Sequence, residues 1–127
     1  MKIAQIAPLY ESVPPGYYGG TERVVAYLTD ELVRQGHDVT LFASGDSNTS
    51  ARLVPMSKRS LRLDPGSIDA LAHHMRMLDH VARVADEFDI LHFHIDYLHY
   101  PLSRRGGYPN VTTLHGRLTI PDLVRMY

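Results

Sequence analysis

Three short stretches of this chain carry residues whose types and spacing can do chemistry. The first runs Pro8-Leu9-Tyr10-Glu11-Ser12-Val13-Pro14-Pro15-Gly16-Tyr17-Tyr18-Gly19-Gly20-Thr21-Glu22. Its three prolines and three glycines break both helix and strand, so it is a loop. The adjacent Gly19 and Gly20 have no Cβ, which lets backbone N–H groups come close to a ligand. A helix opening at Thr21-Glu22 would add unpaired N–H donors and the positive end of its dipole. That combination suits an anion, most often a phosphate. The second stretch is Asp89-Ile90-Leu91-His92-Phe93-His94, and the third is Thr113-Leu114-His115-Gly116. Each ends in a histidine, and a neutral imidazole can hydrogen-bond hydroxyls or a departing oxygen. The glycine loop matches neither G-x-G-x-x-G nor G-x-x-x-x-G-K-[ST], so neither common phosphate fingerprint is present.

The elements that position these stretches follow from periodicity. Ile3-Ala4-Gln5-Ile6-Ala7 is a short apolar run of the kind a buried strand makes. After the loop, Val24, Val25, Leu28, Leu32 and Val33 have the spacing of one buried helix face, predicting a helix over 21–35 that stops at Gly36. Asp38-Val39-Thr40-Leu41-Phe42-Ala43 reads as a second strand, 52–56 as a possible short one, 89–94 as a further strand and 111–115 as the last. Lys58, Arg59 and Arg62 read as a solvated face. A long helix over 68–88, capped by Ser67, is predicted to bury Leu71, Met75, Leu78, Val81, Ala82 and Ala85, with a weaker helical segment near 97–104. Strands alternating with helices, with no hairpin turns, imply βαβ units and hence an α/β, Rossmann-like, doubly wound parallel sheet. Ligands of such sheets bind beyond the carboxyl ends of the strands. Gly19-Gly20, His94 and His115-Gly116 all fall at such ends, whereas His73, His74 and His80 are expected on a helix away from that rim.

Composition bounds the class. The 127 residues make one domain by length. Hydrophobic residues at 44% and charged residues at 21% are ordinary for a globular protein. A net charge of −1 gives no field pointing to nucleic acid or anionic membrane. The chain has no cysteine, which excludes disulfides and thiolate metal sites. No apolar run is long enough for a signal peptide or a bilayer span, so the expected location is cytoplasmic.

Taken in order, Gly19-Gly20-Thr21-Glu22-Arg23-Val24-Val25, Leu32-Val33-Arg34-Gln35-Gly36-His37-Asp38-Val39-Thr40-Leu41-Phe42, Asp89-Ile90-Leu91-His92-Phe93-His94 and Thr113-Leu114-His115-Gly116 resemble the amino-terminal domain of family 4 (group 1) glycosyltransferases. The resemblance covers nearly the whole chain. It implies one half of a GT-B fold, in which two Rossmann-like domains face each other across a cleft, with residues 1–127 as the acceptor-side domain. It implies hexosyl transfer from a nucleotide-diphosphate sugar to an acceptor with retention of configuration, the nucleotide-sugar serving as co-substrate with no cofactor and no metal. Gly19 and Gly20 would lie near the donor diphosphate. His94 would sit beside the transferred sugar, with His115 in the same cleft as a second catalytic candidate. Glu22, Asp96 and Gly116 are candidates for the acceptor side.

The family's second domain, which holds most of the donor site, has no counterpart in these residues. The chain stops at Met126-Tyr127 with a helix-like 120–124 barely begun. The expectation is a truncated domain, either a fragment or a natural half, with negligible turnover alone. Two helices are thin cover for about five strands, so pairing of two copies as a homodimer is also expected. Two rival functions follow from the residues. His92-x-His94-x-Asp96-x-x-His99 resembles the H-x-H-x-D-H ligand run of metal-dependent hydrolases, although Tyr97 and Leu98 separate the final pair. A non-catalytic binding or interaction module is the other.

Overall fold

The computed structural model describes all of residues 1–127. Its centre is β1 (Lys2–Ile6), the short apolar run, with Ile3 through Ala7 all buried. A strand buried on both faces needs parallel neighbours on both edges. β2 (Asp38–Ser44) supplies one, pairing Lys2 with Asp38 and Ile6 with Phe42. β4 (Ile90–Phe93) supplies the other, pairing Ile3 with Ile90 and Ile6 with Phe93. β3 (Arg52–Ser57) lies outside β2, and β5 (Asn110–Thr112) lies outside β4. The all-parallel order β3-β2-β1-β4-β5 is Rossmann-like. The order in which strands are added reverses between β1 and β4, so the crevice between their carboxyl ends is the topological switch point.

Alternation along the strands divides the core. Ala4, Ile6, Phe42, Leu91 and Phe93 face α2 (Ala70–Val84), whose Met77, Leu78 and Val81 complete the larger cluster. Leu41 and Ala43 face the other way and pack on Val25 and Ala26 of α1 (Gly20–Arg34). The short α3 (Tyr100–Gly106) joins β4 to β5 and places Leu102 against the α2-side cluster. Single 3₁₀ turns occupy Leu61–Leu63, Ala85–Glu87 and Pro121–Leu123. No helix is long and apolar enough to cross a membrane.

The helix faces depart from the sequence expectation. In α1, Val24 is 46% exposed, and the inner face is Glu22, Val25, Ala26 and Thr29. In α2, Leu71, Met75 and Ala82 turn outward, while His74 and Met77 join Leu78, Val81 and Ala85 inside. The physical reason is at the helix start. Asp69, not Ser67, is the cap, its Oδ1 accepting the N–H of Leu71 at 3.0 Å and of Ala72 at 3.2 Å. Starting at Ala70, the helix turns His74 inward, where both ring nitrogens find partners. Ala70 O accepts from Nδ1 at 2.7 Å and Nε2 accepts the Leu9 N–H at 3.0 Å.

Candidate functional site

The loop after β1 is held in place before any ligand is considered. Leu9 O accepts the N–H of Leu61 and Tyr10 O that of Arg62, at 2.9 and 3.1 Å. Val13 exchanges backbone bonds with the loop after β2, donating to Ser47 Oγ at 2.9 Å and accepting from Asn48 N–H at 2.8 Å. The loop ends at Gly19, whose φ of +140° lies where side-chain-bearing residues are strained. A Cβ on Gly19 would also meet Glu22 Oε2 at 2.8 Å and Pro15 Cβ at 2.9 Å, whereas one on Gly20 would meet nothing within 4 Å. The two glycines therefore serve differently. Gly19 makes the turn, and Gly20 leaves the first helical N–H open to the crevice.

That crevice holds a cleft of about 460 Å³ at the switch point, within the range of small-molecule sites. Gly19, Gly20, Thr21 and Glu22 form one wall, and His94 to Leu98, following β4, form the opposite one. Tyr10, Glu11, Arg62, His74 and Leu71 close the remaining side. Glu22 is 5% exposed, and its carboxylate is hydrogen-bonded by its own backbone N–H. Burial, with the Glu11 carboxylate nearby, pushes its carboxyl up from the ordinary glutamate value. Glu11 is also buried but is paired with Arg62, whose guanidinium lies 5.7 Å from the centre of the Tyr18 ring.

His94, 1% exposed, forms the floor. Its Nε2 lies 2.7 Å from Gln5 Oε1 and its Nδ1 lies 3.0 Å from His115 Nε2. The His92 ring lies against it, tilted by 35° with centroids 4.0 Å apart, and His92 Nε2 bonds Thr113 Oγ1 at 2.7 Å. Burial lowers the pKa of His94 to about 3, with the neighbouring imidazoles adding to the effect. Burial lowers His92 and His115 as well. Asp96, with φ of 54°, turns its carboxylate back so that Oδ1 accepts the N–H of both His115 and Gly116 at 3.0 Å.

The structure brings Gly19, Gly20, Glu22, His94 and Asp96 to one cleft. His115 and Gly116 do not line it; they reach it through His94 and Asp96. His74 was expected away from the rim and instead lines it, for the helix-rotation reason given above. His80 stays on the far part of α2, 6.0 Å from Phe42. Arg62 was read as part of a solvated face and instead lines the cleft, because the segment after β3 folds back along Leu9 and Tyr10. Gln5, Tyr10 and Glu11 were not singled out in the sequence. The signal available for Arg62 was topological, since the segment after β3 also leaves the sheet at a carboxyl end.

The histidine run does not assemble as a metal site. His94 is committed to Gln5 and His115, and Asp96 to two backbone N–H groups. His99 stacks on Phe93 at 3.9 Å and bonds Thr112 Oγ1 through Nε2 at 2.7 Å. No group of three or more His, Asp or Glu side chains is arranged to hold an ion.

Comparison with known proteins adds two findings. Residues 18–126 match the sequence model of the family described as Glycosyltransferase Family 4. The fold is similar to the crystal structure of AviGT4, a glycosyltransferase involved in avilamycin A biosynthesis, with a TM-score of 0.58 and 24% sequence identity. That match covers 91% of this chain and 32% of the AviGT4 chain, so these residues span about a third of that protein. No curated protein matches.

Proposed function

The chain belongs to glycosyltransferase family 4, and from that premise we propose that it forms the acceptor-side wall of a site transferring a hexosyl group from a nucleotide-diphosphate sugar with retention of configuration. The observation that carries this reading is the convergence of the Gly19-Gly20 turn, Glu22 and His94 on one cleft at the switch point of the sheet.

Each wall has a task. The Gly20 and Thr21 N–H groups at the start of α1 donate to diphosphate oxygens and offset charge that develops as the nucleotide leaves. Glu22 stands beside them with its carboxyl pushed up by burial, which weakens its repulsion of the diphosphate. His94 is the packed surface against which the transferred sugar rests, because both its ring nitrogens already have protein partners. Asp96 holds the backbone of His115 and Gly116 in place behind it. Tyr10, Tyr18, Glu11 and Arg62 face the acceptor, aromatic rings and charged groups being suited to the apolar faces and hydroxyls of a sugar. The rest of the donor contacts come from a second domain, and the chain alone has negligible turnover. A cytoplasmic location and pairing of two copies belong to the same proposal.

The test is a panel of labelled nucleotide-sugars offered to these residues joined to a donor domain, and separately to the 127-residue chain. Transfer is expected only from the two-domain protein, and His94→Ala should reduce it far more than His80→Ala. Time-linear transfer by the chain alone, or equal activity of the two variants, overturns the assignment.

A further inference from the structure

Beneath the cleft lies a polar chain that the transfer chemistry described above does not use. Gln5 sits in the middle of β1, fully buried and opposite His92 in the register. An amide in the centre of a sheet core is costly unless it is bonded. Its Oε1 lies 2.7 Å from His94 Nε2, and His94 Nδ1 in turn lies 3.0 Å from His115 Nε2.

We propose that Gln5 is a positioning residue that fixes the tautomers of His94 and His115, placing the proton of each ring on Nε2. An amide oxygen only accepts, so His94 must donate from Nε2 and keep a lone pair on Nδ1. That lone pair then accepts from His115 Nε2–H, which leaves His115 Nδ1 as an acceptor at the carboxyl end of β5. Both rings are thereby oriented from one atom, Gln5 Oε1. Burial disfavours an imidazolium at both rings, and only at His115 does a nearby carboxylate, that of Asp96, pull the other way. The groups in contact with the His94 ring are the tilted His92 ring, His115 and the Gln5 amide. Of the carboxylates in the cleft, Asp96 is engaged by two backbone N–H groups behind His115, Glu11 is paired with Arg62, and Glu22 stands on the opposite wall. A reversed Gln5 amide would invert both tautomers and turn His115 Nδ1 into a donor, so this single side chain decides what the rim offers. The hydrogen bonds exist whatever the cleft binds; only their consequence for sugar transfer rests on the reading above.

Imidazole ¹H–¹⁵N correlation spectra of the 127-residue chain test it without any substrate. The expected result is that His94 and His115 each show one tautomer, protonated on Nε2, with His94 unchanged down to about pH 4 in keeping with a pKa of about 3. Gln5→Leu should abolish the single-tautomer signature of both rings. Gln5→Glu keeps an acceptor at the same place, so it should retain the Nε2–H form and raise the pH at which His94 titrates. His94 protonated on Nδ1 in the natural chain, or tautomers unmoved in Gln5→Leu, overturns the proposal. If Gln5→Leu does not fold, the natural chain and Gln5→Glu decide the matter. Absence of transfer by the natural chain joined to a donor domain, with both tautomers as expected, would count against the sugar-transfer reading and leave this one standing.

Discussion

Asp96 and Gly116 are fitted to each other: Asp96 Oδ1 accepts the Gly116 N–H at 3.0 Å, and a Cβ on Gly116 would come 2.7 Å from Asp96 Oδ2. The same Oδ1 takes the His115 N–H at 3.0 Å. One carboxylate therefore joins the loop after β4 to the strand end that carries His115.

The first prediction follows from that joint. Asp96→Ala removes the one oxygen that accepts both N–H groups and puts alanine at φ 54°, where aspartate is better tolerated. Two lost bonds and the backbone cost should destabilise the chain by about 2–3 kcal/mol. Asp96→Asn keeps an acceptor oxygen and should cost less than about 1 kcal/mol. Urea unfolding of the two variants checks the difference, and equal losses would show that the carboxylate does not hold the joint.

Much of this arrangement was legible in the sequence, for physical reasons. The apolar run at β1, the glycine break before α1 and the strand-helix alternation are local patterns, and they fix a parallel sheet with its ligand crevice at the carboxyl ends. The rotation of α2 was not legible. Its apolar residues exceed one face, and His74 is held inward by the Leu9 N–H, a partner from a distant part of the chain. Arg62 was hidden for a different reason. Its place depends on the bond from Leu61 N–H to Leu9 O across more than fifty residues, which no local periodicity encodes. Gln5 looked like a polar interruption of an apolar strand, and only its partner His94, brought alongside by the β1–β4 pairing, explains it.

The two glycines of the loop should separate folding from binding. Gly19→Ala strains a φ of +140° and drives a Cβ into Pro15 and Glu22, so a loss of about 1–3 kcal/mol is expected. Gly20→Ala meets nothing within 4 Å at the first position of α1, and its stability should stay within about 1 kcal/mol of the natural chain. Gly20→Ala should nevertheless weaken binding of a nucleoside diphosphate at least several-fold, because the methyl group occupies the approach to the N–H. Thermal melts and titration calorimetry of both variants give the two readouts.

Glu22 should make the fold less stable at neutral pH than its amide would. Its raised pKa means that the folded chain holds a proton that the unfolded chain has lost. Stability therefore falls as pH rises from the ordinary glutamate range through the raised value. Glu22→Gln removes this dependence and should raise the melting temperature by a few degrees at pH 8, with little change at pH 4. A lower melting temperature for Glu22→Gln at pH 8 would mean that the charged carboxylate is favoured where it stands.

The buried histidines set the acid limit. His74, His92, His94, His99 and His115 all have pKa values lowered by burial, His94 to about 3 and His99 to about 4. Unfolding returns each to its ordinary value near 6.5, where it takes up a proton. Stability is therefore full above about pH 6.5 and is lost progressively as pH falls toward 4 and 3. Denaturant midpoints measured from pH 7.5 to pH 4 should fall steadily, and a His94→Gln variant should fall less steeply. A flat profile over that range would show these imidazoles to be solvated.

The central claim, that the Gly19-Gly20 turn receives the donor's diphosphate, is tested most directly by backbone amide NMR of the 127-residue chain titrated with nucleoside diphosphates. Binding without a donor domain should be weak, with Kd on the order of 1 mM. The account predicts saturable shifts largest at the Gly19, Gly20 and Thr21 amides, with smaller ones at His94 and Asp96. Unmoved loop amides, or shifts centred instead on exposed cations such as Arg83 or Arg104-Arg105, would contradict it.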